Sequence, residues 1–214
     1  MQKTKIYNNL RLCTFQIFIL STFTTFIPQD SKPTIAVIGV TNELESEEWR
    51  DARVGFGLHN ILSQYLMDTD KFILLEEKSE VRDQMSTMRE YLWQIGTEDS
   101  VANSTRRAID LGADVVAYAK VIHFGTPQTK ISFGPVHRRR QTTEIKIAVT
   151  LTDYIRHKTF VGTGKGQSRR KAQSAIFEFR RDVVLFDETS VGKATREAMK
   201  KAVEEAVEKY LKWK

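Results

Sequence analysis

The chain has 214 residues, a length that suits one ordinary domain plus a terminal appendage. Hydrophobic residues make up 41% and charged residues 28%, with only four prolines and 11 glycines, which excludes a fibrous or wholly disordered chain. The formal charge is +6, which leaves anionic lipid and nucleic acid both open as partners, and the lone cysteine, Cys13, excludes an intrachain disulfide or a cysteine-based metal site.

In chain order, Lys3, Lys5 and Arg11 precede an uncharged apolar run from Leu12 to Ile27, which Pro28, Gln29 and Asp30 close. A positive start, an apolar stretch and a polar exit describe an export signal; an N-terminal membrane anchor is the alternative. Residues 1–30 are therefore set apart from an α/β domain over 31–214. The expected location is outside the inner membrane, in the periplasm or at the outer membrane.

The run TIAVIGV from Thr34 to Val40 is apolar, β-branched and continuous, the mark of a strand buried on both faces. A helix follows, with Val54, Leu58, Ile61, Leu62, Tyr65 and Leu66 at helical spacing. Phe72–Glu76 reads as a second strand, so the first three elements form a βαβ unit. A second helix carries Val81, Met85, Met88, Leu92 and Ile95 on one stripe. A third opens at Ser100 as its cap and stops at Gly112. Asp114–Phe124 and the alternating IKIAVTLTDY of Ile145–Tyr154 are strands. A turn at Arg156, His157 and Lys158 leads to a strand over Thr159–Gly166. Val191, Ala194, Ala198, Ala202, Val203, Ala206, Val207, Tyr210 and Leu211 then line one face of a long C-terminal helix. The sum is a mixed sheet of about five strands flanked by helices, with hairpin extensions and a long C-terminal helix.

Chemistry-bearing patterns are weak. His59, His123, His137 and His157 have no ligand-type spacing and read as unrelated surface or edge histidines. Gly162-Thr163-Gly164-Lys165-Gly166 lacks the Ser or Thr that a phosphate loop needs after its lysine. Within a strand, such glycines mark a bulge or a close backbone approach. Glu76-Glu77 reads as a solvated strand end. No catalytic residue, cofactor or metal is expected. Arg138, Arg139, Arg140, Arg169 and Arg170 belong to the strongest basic clusters and are candidate contacts for lipid headgroups or a protein partner. No aromatic side chains are interleaved for base stacking, so nucleic acid is not expected.

The succession IAVIGVTN, FILLEEKSEV, LGADVVAYAKVIHFG, IKIAVTLTDYIRHKTFVGTGKG and FDETSVGKATREAMKKAVEEAVEKY resembles the CsgG family of curli-secretion components. The resemblance covers roughly Lys32 to Leu211 and implies an anticodon-binding-domain-like sandwich. It also implies a non-enzymatic, oligomeric outer-membrane secretion component whose subunits lend β-hairpins to a shared barrel. By position, the constriction loop would fall on Asn42–Trp49, with Asn42, Glu43, Leu44 and Trp49 as its candidates. The hairpins would fall between Gly125 and Ile145 and between Gly166 and Val191. Their candidate membrane-facing residues are Ile131, Phe133, Val136, Phe177 and Phe179. The implied partners are further copies of the chain and secreted or envelope proteins. A looser similarity to the lipoprotein activators of penicillin-binding proteins gives the alternative, a soluble periplasmic regulator of an envelope enzyme.

Overall fold

The computed structural model describes residues 32–44, 49–77, 79–133, 136–170, 177, 179–181, 183–187 and 189–213. The unit Lys32–Lys214 is compact. Its elements are β1 (Thr34–Asn42), α1 (Ala52–Asp68), β2 (Ile73–Leu74), α2 (Ser79–Ile95), α3 (Glu98–Asp110), β3 (Val115–Gly125), β4 (Gln128–Phe133), β5 (Val136–Asp153), β6 (Lys158–Arg170), β7 (Phe179–Arg180), β8 (Val183–Val184) and α4 (Ser190–Trp213).

The main sheet is mixed. β1 lies parallel to β2 on one side and to β3 on the other, while β3–β5 and β5–β6 are antiparallel. β1 is buried on both faces because helices cover both. Ile35, Val37 and Val40 join α1, α4 and the inward residues of β3 and β5, whereas Ala36 and Ile38 join Val81, Met85, Met88 and Leu92 of α2. That double burial explains the unbroken apolar run. β5 has helix cover on one face only, so Ile145, Ile147, Val149 and Leu151 point inward and its polar residues alternate with them.

Two details differ from the sequence reading. The second strand shrinks to two residues, and Leu75–Glu77 turns into a short 3-10 helix. α3 is capped by Thr97, whose hydroxyl accepts from the Ser100 N–H at 3.2 Å; Ser100 lies inside the helix. Gly112 does end the helix, with φ +98. No helix among the described residues is long and apolar enough to cross a membrane.

β6 and α4 pack with their backbones in close approach. Gly162, Gly164 and Gly166 face the helix, and a Cβ on each would stand 2.1, 1.8 and 1.8 Å from the carbonyl oxygens of Ala202, Ala198 and Ala194. The two-residue repeat of the strand therefore meets the four-residue repeat of the helix, backbone against backbone. The glycine run marks a close approach; β5–β6 pairing continues without a register shift through it.

Candidate functional site

The distal end of the sheet is built by the chain itself. β3 and β4 run along the same edge of β5, and β4 turns into β5 as a hairpin, with Phe133 opposite Val136 and Gln128 opposite Gln141. Among the described residues β4 pairs only with β5. Directly paired residues share a face of an antiparallel ladder, and successive residues alternate. Ile131 pairs with Arg138 and Thr129 with Arg140, so positions 129, 131, 133, 136, 138 and 140 share one face. Lys130 pairs with Arg139 and Ser132 with His137, which gives a wholly polar opposite face. The first face is apolar toward the turn and cationic toward the base. By the same alternation exposed Arg169, opposite Thr142, extends the first face, and Arg170, opposite Gln141, falls on the polar one.

The second candidate hairpin is different. Residues 171–176 lie outside the described residues; among the described residues beyond them β7 pairs with β8, where Phe179 stands opposite Val184. Phe177 is a correction: it is 6% exposed and packed in the core with Val184 and Phe186, so it faces protein, not lipid.

The loop after β1 is pinned at both ends of its described part. The Asn42 side chain donates to the Trp49 carbonyl at 3.0 Å and accepts from the Leu44 N–H at 2.9 Å. Glu43 pairs with Lys120, and Leu44 packs against the core. Residues 45–48 lie outside the described residues. Trp49 is fully buried, with its ring 5.5 Å from Phe124 and 4.9 Å from Phe177. A channel-lining role for Trp49 is thereby corrected in this chain: the indole anchors the loop. Its neighbour Glu43 has the exposed side chain.

Sequence reading missed one buried polar cluster. His59 on α1 is 2% exposed, with Nε2 3.5 Å from Glu76 and 3.3 Å from the Ser63 hydroxyl. The same Glu76 oxygen lies 3.5 Å from the Arg89 guanidinium of α2. Glu76 is thus an internal counter-ion between two helices, not a solvated strand end, and His59 is not a surface histidine. Desolvation lowers the His59 pKa; Glu76 opposes that shift and Arg89 adds to it. The imidazole is therefore neutral in the fold at neutral pH. An unfolded histidine takes up its proton near pH 6.5, so the unfolded chain binds more protons below that point. Stability should fall as pH drops from 7 through the folded pKa, by at most about 1.4 kcal/mol per pH unit from this residue. Urea midpoints at pH 7.5 and 5.5 test this, and His59→Gln should flatten the difference.

Among the described residues, no group of three or more His, Cys, Asp or Glu side chains is placed to hold a metal. A cavity of about 330 Å³ opens between α1 and α2, lined in part by Arg53, Phe56, Arg89, Glu90 and Trp93. Among its polar groups, Arg89 is turned to Glu76, Arg53 to Asp51, and the Trp93 indole N–H donates to the Asp51 carbonyl at 3.0 Å, while the buried Arg89 Nε has no hydrogen-bond partner among the described residues.

These features define a layered α/β protein whose distinguishing part is a hairpin projecting from one end of its sheet. The family model of the curli production assembly/transport component CsgG matches residues 23–213. The chain belongs to the CsgG family. Among solved structures it is similar to lipoprotein GNA1162 from Neisseria meningitidis, with 14% identity, coverage of 67% of this chain and 86% of that one, and a TM-score of 0.41. It is also similar to the hypothetical protein CT253 from Chlamydia trachomatis, with 15% identity, coverage of 84% and 95%, and a TM-score of 0.47. No curated protein sequence matches the chain.

Proposed function

We propose that this protein is a non-enzymatic, exported component of the bacterial cell envelope that works as a homo-oligomer in outer-membrane secretion or surface assembly. The family's description as a curli assembly and transport component supports the class of process. The observation that carries the reading is the β4–β5 hairpin. It extends the sheet as two strands, one face apolar near the turn at positions 131, 133 and 136 and cationic at positions 138 and 140. A two-stranded hairpin is marginal in water by itself. A neighbouring copy and a lipid surface would supply what it lacks, with Arg138, Arg139, Arg140, Arg169 and Arg170 near headgroups. Phe179 would join that surface from β7, while Asn42, Glu43 and Leu44 would edge the passage through the ring.

One observation favours the alternative of a soluble regulator of an envelope enzyme. β4 has six residues, whereas a spanning strand needs about 9–11. Arg138 shares the apolar face with Ile131, and an arginine facing lipid at the midplane costs about 2–4 kcal/mol.

Envelope extraction with and without detergent, followed by native sizing, separates the two. The pore reading expects a large species recovered only with detergent. The triple variant Ile131→Asp, Phe133→Asp, Val136→Asp should then release folded monomer with an unchanged melting temperature. A detergent-independent monomer that captures a cell-wall synthase would replace the pore by the regulator. Recovery in the cytosol alone would overturn both.

A further inference from the structure

β6 pairs with β5 along one edge, so alternate residues of β6 turn their backbone N–H and C=O groups to the other side. Such an edge is a ready template for another strand. Here it is occupied by side chains of α4. Glu205 Oε2 accepts from the Thr163 N–H at 2.8 Å, and Glu197 Oε2 accepts from the Gln167 N–H at 3.0 Å. Lys209 Nζ donates to the Val161 carbonyl at 2.7 Å, and Lys201 Nζ to the Lys165 carbonyl at 3.2 Å. The Ser190 hydroxyl closes the row by donating to the Arg169 carbonyl at 2.6 Å. Each glutamate also holds its lysine through its second oxygen, Glu197–Lys201 at 2.6 Å and Glu205–Lys209 at 2.7 Å.

The periods explain why one row of side chains meets successive outward residues of β6, one backbone group on each. Four residues of helix rise about 6.0 Å, and two residues of antiparallel strand rise about 6.8 Å. The row Glu197, Lys201, Glu205, Lys209 therefore keeps step with Gln167, Lys165, Thr163, Val161, running in the opposite direction. The glycines bring the helix axis close enough for glutamate and lysine to reach around the edge. Stability alone is a poor reason for the arrangement, because exposed ion pairs of this kind contribute little.

We infer that this acid–base row closes the outer edge of β6 against an added strand from a second copy of the chain. Contact between copies through strand pairing is thereby kept off β6 between Val161 and Arg169 and left to the other edge strands of the sheet, β2 and β4. This closure holds whether the protein is a pore subunit or a regulator.

The test compares two variants of equal charge change in the full chain. One removes the row: Glu197→Ala, Lys201→Ala, Glu205→Ala, Lys209→Ala. The other removes Lys200, Glu204, Glu208 and Lys212 from the same helix, where the pairs 200–204 and 208–212 point to solvent. Sedimentation over a concentration series and amide exchange at Thr163 and Gln167 are the readouts. The row variant should exchange these two amides roughly tenfold faster or more when dilute. It should also form species larger than the wild type's as concentration rises, with the same amides protected again. The solvent-facing variant should match the wild type, and Glu197→Gln with Glu205→Gln, which keeps the acceptors, should stay close to it. If the fourfold variant does not fold, Glu197→Ala with Glu205→Ala carries the same readouts. A folded row variant that exchanges fast yet never exceeds the wild type's size at any concentration would overturn the inference.

Discussion

Gly164→Val is expected to prevent α4 from seating on the sheet. A Cβ at Gly164 would meet the Ala198 carbonyl oxygen at 1.8 Å and the Ala202 nitrogen at 2.7 Å. These are backbone atoms in the middle of a 24-residue helix, so no side-chain rotation relieves the clash. The helix would have to lift as a unit, and its Ala194, Ala198, Ala202 and Ala206, all 0% exposed, would lose their contact with the sheet. Overpacking of this kind costs about 3 kcal/mol or more, a large share of the about 5–15 kcal/mol that holds a domain folded. At roughly 2–4 °C per kcal/mol for a chain of this size, the melting temperature should drop by about 6–12 °C or the chain should fail to fold. Gly112→Ala is the informative contrast, because a Cβ there meets nothing within 4 Å. Its cost should come from the positive φ alone, about 1 kcal/mol. Thermal melts of the two variants followed by circular dichroism separate steric from conformational cost; equal losses would refute the packing argument.

The second large effect is expected at Trp49. Its side chain is completely buried and touches Phe124 and Phe177 edge-on or tilted, while its backbone carbonyl accepts from Asn42. Trp49→Ala should destabilise by about 3–5 kcal/mol through lost burial and the cavity left behind. Urea unfolding should show a lower midpoint with an unchanged slope. A residue lining an open passage would behave oppositely, changing transport while leaving stability intact. Wild-type stability in Trp49→Ala would thus restore the constriction reading that the burial argues against. Phe177→Ala should follow Trp49 in direction, since Phe177 also stacks against Phe186 at 6.0 Å.

What could be read from the residues follows their periodicity. α1 and α4 show apolar positions at helical spacing because each buries one stripe and exposes the rest. β5 alternates because only one of its faces is covered, and β1 does not alternate because both are. The hairpin at 128–141 was placed only by the family resemblance, between Gly125 and Ile145, and its register adds which positions share a face. The candidate site was less legible. Phe177 and Phe179 alternate in the sequence as a membrane strand would, yet Phe177 turns inward because Trp49 and Phe186 offer it an apolar pocket. Glu76 follows a short strand and looks solvated until α2 brings Arg89 over it and α1 brings His59 beneath.

The order of elements, the double-sided burial of β1, the amphipathic C-terminal helix and the kinship with the CsgG family could all be read from the residues, because each is written in local spacing or in the succession of segments. Tertiary structure alone decided which residues meet. The glycines of β6 find the alanines of α4, the glutamates and lysines of that helix find the outer edge of β6, and Trp49 finds Phe177. Such pairings join positions far apart in the chain, and their energy comes from close packing and desolvation, which exist only once the layers have come together.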